Sequence, residues 1–288
     1  LSVAPLAPHD LRAGDRVLPT ATRCLVMGVV NVTPDSFSDG GRFLDRDAAV
    51  AHGLALAAEG ADLLDVGGES TRPGAADVSE RVELDRVLPV IHELSATAGV
   101  PVSVDTRKSG VAAAALAAGA AMVNDVSAGR HDPELLAVAA EAKVPLVLMH
   151  MLGTPATMQD DPGYADVVVE VEAFLAERCQ AAEAAGVDHD ALVVDPGIGF
   201  GKRDRDNYAL LDGLARFTRL GHPVMVGTSR KAFIGRALDL PVDQRLEGTT
   251  ATTVWAVERG ARIVRVHDVA PMVRAVRMTE AMLSWGVS

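Results

Sequence analysis

The sequence predicts an α/β protein, a (β/α)8 TIM barrel occupying a single domain over residues 1–288. Three observations carry that expectation. Short apolar runs recur eight times, each too brief for a buried helix and bounded by Gly, Pro or polar residues. Between them lie Ala- and charge-rich segments with helical spacing. Several of those segments end in Gly just before the next apolar run, as a helix C-cap does: Gly60, Gly99, Gly119, Gly186 and Gly260. Eight βα units in one chain of this length fit a closed barrel, whereas the doubly wound sheet, the alternative, has fewer strands. Residues 1–22 fit no βα unit and are expected to form an N-terminal arm or hairpin closing the barrel bottom.

The elements follow in order. CLVMGVV (24–30) is the first strand, and it opens at Asn31 into NVTPDSFSDGG, a loop with more chemistry than a turn requires. DAAVAHGLALAAEG is the first helix, and ADLLDVG (61–67) is the second strand, leading into Glu69-Ser70-Thr71-Arg72. ERVELDRVLPVIHELSA is helical, and VPVSVD (100–105) ends in Asp105. AMVNDV (121–126) presents Asn124, and VPLVLMH (144–150) ends in His150. YADVVVEVEAFLAERCQAAEAAG is a long helix before ALVVDPG (191–197), which carries Asp195. HPVMVG (222–227) leads to Ser229-Arg230-Lys231, and ARIVRVHD (261–268) bears Arg265 and His267.

Strand residues two apart share a face, so Arg265 and His267 are expected to point together. Barrel active sites lie at the C-terminal strand ends. If Asp105, Asn124, Asp195 and Arg265 point inward, burying them unpartnered is costly, and a ligand is the natural partner. Acids and amides suit a nitrogen-rich heterocycle; Arg, Lys, His and Thr suit an anion. Taken singly, each has a plainer explanation. Asp105 before Thr106-Arg107-Lys108 reads equally as a helix cap, and Asp125 reads as structural.

Composition narrows the partners. Apolar residues make up 49% and aromatics 3%, so Ala, Val and Leu fill a sizeable core. The formal charge of −12 argues against nucleic acid and against a polybasic membrane contact. The apolar windows are too short to span a bilayer, and no signal peptide is visible. Cys24 and Cys179 read as reduced, buried thiols of a cytoplasmic protein.

The blocks LVMGVVNVTPDSFSDGG, ADLLDVGGESTRPGA, SVDTRKSGV, MVNDVS, LMHMLGTPATMQ, DPGIGFGK, VGTSRKAFIG and RVHDV resemble, in that order, the dihydropteroate synthases. The resemblance implies a (β/α)8 transferase of folate biosynthesis. It would condense 6-hydroxymethyl-7,8-dihydropterin diphosphate with 4-aminobenzoate and be a target of sulfonamides. By the same resemblance Asp105, Asn124 and Asp195 hold the pterin edge, Lys231 donates to its oxo side, and Met149, Phe200 and Gly227 line the pocket. Arg265 and His267 receive the diphosphate, helped by the N-terminal amides of the helix after HDVAP. Asn31 is the ligand for Mg2+. Asp35 and Phe37 close over the reacting centre on a loop hinged at Gly40 and Gly41. Thr71, Arg72, Pro73 and Ser229 line the aminobenzoate site. The catalytic set is Asp35, Asp105, Lys231, Arg265 and His267. The apolar positions of PMVRAVRMTEAMLSW exceed one narrow stripe, which with the resemblance implies a homodimer. Rival readings are a pterin-binding methyltransferase, a non-catalytic pterin-binding paralogue, and a Schiff-base aldolase using Lys231. The intact ESTRP, SRK and Arg265–His267 sets weigh against the first two.

Overall fold

The computed structural model describes residues 9–33, 42–70, 74–75 and 77–285. Strands β1 (Leu11–Ala13) and β2 (Arg16–Leu18) form an antiparallel hairpin. Eight parallel strands then close into a barrel. They are β3 (Leu25–Asn31), β4 (Leu63–Gly67), β5 (Val102–Asp105), β6 (Met122–Asp125), β7 (Leu146–Met149), β8 (Leu192–Asp195), β9 (Val224–Val226) and β10 (Ala261–Val266), with β10 returning to pair with β3. The intervening helices are α1 (Arg42–Ala58), α2 (Glu80–Thr97), α3 (Ser109–Ala117), α4 (Glu134–Ala142), α5 (Val167–Ala184), α6 (Asp204–Asp212), α7 (Ala232–Leu238), α8 (Leu246–Glu258) and α9 (Val269–Ser284). Each apolar run of the sequence holds one barrel strand. The five glycines read as helix ends have φ between +71° and +109°, the left-handed region that Gly adopts without strain.

Period-two alternation sorts the strand residues into two cores. Val26, Leu64, Val104, Val123, Leu148, Val194 and Val264 belong to the cluster shared with the helices. Leu25, Met27, Leu63, Met122, Val147, Val193, Met225 and Ile263 form the inner cluster, which Leu11, Ala13 and Leu18 of the hairpin join. The barrel is therefore apolar at its base. Further along the same inward rows, toward the C-terminal ends, the residues become Asp65, Ser103, Asp105, Asn124, Asp195 and Arg265. Gly28 lets α1 approach β3: a Cβ there would lie 3.1 Å from Leu56 Cδ1.

Candidate active site

The polar inward rows meet at the C-terminal mouth. Arg265 reaches across from β10, with Nε 2.6 Å from Asp65 Oδ2 and Nη2 2.8 Å from Asp105 Oδ2. Asn124 Nδ2 donates to the same Asp65 oxygen at 3.0 Å. One network thus ties β4, β5, β6 and β10. It leaves acceptors unused: Asp65 Oδ1, Asn124 Oδ1 and the Ser103 hydroxyl are buried without a hydrogen-bond partner. Buried orphans of this kind are expensive, and their clustering marks a place built for another polar molecule.

Opposite stand Asp195 and Lys231. Asp195 Oδ1 accepts from Gly197 N at 2.7 Å. The Lys231 ammonium donates to the Ile198 carbonyl and lies 4.6 Å from the centroid of the Phe200 ring. Phe200 packs on Met149, Met151, Met158 and Val126, a small apolar wall separate from the barrel cores. Gly227 borders both cations: a Cβ there would stand 3.9 Å from Lys231 Nζ and 3.7 Å from Arg265 Cβ, ordinary contact distances.

Burial sets the electrostatics. It pushes Asp105 up to about 7, against the pull of Arg265 and with Asp65 adding repulsion. Asp195 is raised by the same desolvation, with Lys231 opposing. Lys231 falls to about 8 because burial disfavours its charge more than Asp195 restores it. Burial also works against the Arg265 cation, but Asp65 and Asp105 overcome it and hold the guanidinium protonated.

Arg265 and His267 contact different side chains. Arg265 is engaged by two carboxylates, whereas β10 ends at Val266 and His267 turns to Ser229, its Nδ1 3.0 Å from Oγ. Ser229 Oγ also accepts from His267 N at 3.1 Å. The first turn of α9, expected to offer amides to an anion, already gives Ala270 N to Glu59 Oε2 at 3.1 Å. Asp105 does not cap α3; that segment is tied by Lys108 N to Thr106 Oγ1 at 3.3 Å. Asp125 is structural, accepting from Ser127 N at 2.7 Å. Asn31 is half-buried at the end of β3. Asp35, Phe37, Gly40, Gly41, Thr71, Arg72 and Pro73 lie outside the described residues.

Two features escaped the sequence reading. Asp65 sits inside ADLLDVG; its place on one face with Leu63 and Gly67 was the available signal. Lys202 is buried, with Nζ 2.9 Å from His150 Nδ1 and 3.0 Å from the Phe200 carbonyl. Burial drives both groups toward neutrality, His150 to about 2 and Lys202 well below the usual lysine range. Lys202 thus pins the loop that carries Phe200 to the end of β7. Behind β4, Glu69 accepts from Arg107 Nη2 at 2.8 Å and from Lys108 Nζ at 2.7 Å, fastening the segment after β4 to that after β5.

A sequence profile for the family described as "Pterin binding enzyme" matches residues 27–267, from within β3 to just past the end of β10. The dihydropteroate synthase of Bacillus subtilis is 47% identical over 264 residues, covering 92% of this chain and 90% of its own. This chain belongs to the dihydropteroate synthase family. Among solved structures, the family's enzyme from Xanthomonas albilineans with 4-aminobenzoic acid superposes with a TM-score of 0.90 at 52% identity, covering 96% of this chain and 98% of that one. The Yersinia pestis dihydropteroate synthase in a sulfonamide drug complex gives a TM-score of 0.91 at 43% identity, covering 96% and 100%.

Proposed function

We infer that this chain condenses 6-hydroxymethyl-7,8-dihydropterin diphosphate with 4-aminobenzoate, yielding 7,8-dihydropteroate and diphosphate. The observation that carries the reading is the gathering of Asp105, Asn124, Asp195 and Lys231 at one buried mouth where Asp65 Oδ1, Asn124 Oδ1 and the Ser103 hydroxyl are unmatched. A pterin offers amino and ring N–H donors along one edge and an oxo group beside them. Carboxylates and the Asn124 carbonyl oxygen take the donors, and Lys231 gives to the oxo side. The Met149–Phe200 wall covers a flat ring face.

In the reaction the aminobenzoate nitrogen forms a bond to the exocyclic methylene carbon. The bond from that carbon to the diphosphate oxygen breaks with its electron pair on the leaving group, and the anilinium proton is lost. No activated nucleophile is required, because the aniline nitrogen carries its own lone pair. The demanding part is holding the leaving charge, a task for preorganised cations. Arg265 suits it through Nη1, since Nε and Nη2 are committed to Asp65 and Asp105. His267 and Ser229 stand beside it as a second donor pair. The buried carboxylates of Asp105 and Asp195 stabilise positive charge that develops on the electron-rich pterin. Asn31 supplies a hard amide oxygen at the mouth, which fits Mg2+; the ion, when bound, neutralises charge on diphosphate oxygens. Arg72, Thr71 and Pro73 remain our candidates for the aminobenzoate side, with Ser229. A sulfonamide would compete there.

The apolar residues exposed on α8, α9 and just beyond (Trp255, Met278, Met282 and Trp285) suit pairing with a second copy. Among the described residues no helix is long and apolar enough to cross a membrane, and Cys24 and Cys179 are free and buried. We place the enzyme in the cytoplasm as a homodimer. The test of function is incubation with both substrates and Mg2+, following 7,8-dihydropteroate by mass spectrometry and diphosphate by a coupled assay. The two should appear in equal amounts, and neither without 4-aminobenzoate. Diphosphate release at full rate without the amine would make the protein a hydrolase instead.

A further inference from the structure

The base of the barrel, opposite the active site, holds a second cluster of chemistry. Glu183 lies in the last turn of α5, His189 opens the short turn before β8, and His222 lies in the turn before β9. Each offers a ligand atom, and these atoms all lie within 4.8 Å of one another. Glu183 Oε1 is 2.6 Å from His189 Nδ1, and the His189 and His222 rings are 4.4 Å apart. A surface ion pair explains Glu183 and His189 but not the rest. His222 is only 3% exposed, and its Nδ1 has no hydrogen-bond partner. His9, preceding the hairpin, brings a further ring 6.3 Å from His189, and its Nε2 is also buried and unpartnered. A well-packed protein seldom leaves two buried imidazole nitrogens without partners on either side of a third ring.

We propose that Glu183, His189 and His222 form a structural zinc site at the barrel base, with His9 placed to serve as a fourth ligand. Two imidazoles and a carboxylate are borderline donors that suit Zn2+ and disfavour Mg2+, which prefers oxygen alone. His222 is the fixed member. Glu183 and His189, whose side chains are 39% and 55% exposed, are free to rotate until the ligands reach metal distance. The ion would cross-link α5, the turn into β8, the turn into β9 and the segment leading to the hairpin, far from the reacting groups.

The site is tested on tag-free, chelator-treated full-length protein by calorimetric titration with ZnCl2 and, separately, MgCl2, together with thermal unfolding. One zinc per chain should bind, and at a hundredfold excess over Kd the melting temperature should rise by about 5 °C. Magnesium should give no comparable shift. Glu183→Gln and His189→Ala, both at exposed positions that leave the fold intact, should each weaken zinc binding by about tenfold or more. Synthesis of dihydropteroate in Mg2+ should be unchanged in both. Absence of saturable zinc binding would overturn the proposal. So would zinc binding unaffected by both substitutions, which would place the ion elsewhere, or an equal response to magnesium.

Discussion

At the scale of single residues, the account turns on carboxylates that are buried and shared. Asp65 is fully buried, and one of its oxygens serves both Arg265 and Asn124. Its replacement should be costly to the fold, whatever its free oxygen contributes to substrate binding. Asp65→Asn removes the charge facing Arg265, which keeps Asp105, so the loss should be about 2–3 kcal/mol of stability, read by urea unfolding. Wild-type stability would show that Arg265 does not depend on Asp65. Asp105 gives a pH signature. Its folded pKa of about 7 lies above its ordinary value of 3.8, so the folded protein holds the proton more tightly than the unfolded chain. The stability it contributes is full below that ordinary value and is lost as pH rises through about 7. Pterin binding runs the other way, because the ligand needs an ionised carboxylate. Affinity for 6-hydroxymethylpterin should fall as pH drops through about 7, approaching tenfold per pH unit for one coupled proton. A flat profile from pH 8 to about 5.5 would mean that ionised Asp105 does not hold the ring.

At the scale of elements, the strand ends are held by tight loops as much as by the ladder. The chain leaves β8 through Gly197, whose φ is +67° and where an added Cβ would stand 1.9 Å from the His150 carbonyl oxygen. Gly197 N also donates to Asp195. Gly197→Ala should therefore destabilise the fold by about 1–3 kcal/mol and raise KM for the pterin diphosphate, since Asp195 moves with the loop. A variant with the wild-type melting temperature would contradict this. The barrel strands were legible in the sequence because each pairs an apolar run with a Gly, Pro or polar boundary. The hairpin elements β1 and β2 were not legible in detail: LRA and RVL are too short to carry a period. Lys202 escaped for another reason. A lysine beside Gly201 reads as solvated, and only the fold brings His150 and the Phe200 carbonyl to its ammonium.

At the scale of the whole molecule, a chain with a net charge of −12 must bind a diphosphate. In our reading it does so through Arg265 and His267 at the end of β10, where Asp65 and Asp105 hold the Arg265 guanidinium in place. Alternation along the strands made part of this readable: it puts Ser103 with Asp105 and Arg265 with His267 on shared faces, but not which face is inward. Which acid Arg265 would choose was not readable, because Asp65 and Asp105 become its neighbours only when β10 closes onto β3. The claim that unites these scales is that the buried acids at the mouth form the pterin floor. Calorimetric titration of 6-hydroxymethylpterin into wild type, Asp105→Asn and Asp195→Asn at pH 8 tests it most directly. Circular dichroism should show both variants folded, and each should bind about 10–100-fold more weakly than wild type. Wild-type affinity in both variants would place the pterin somewhere other than this cup.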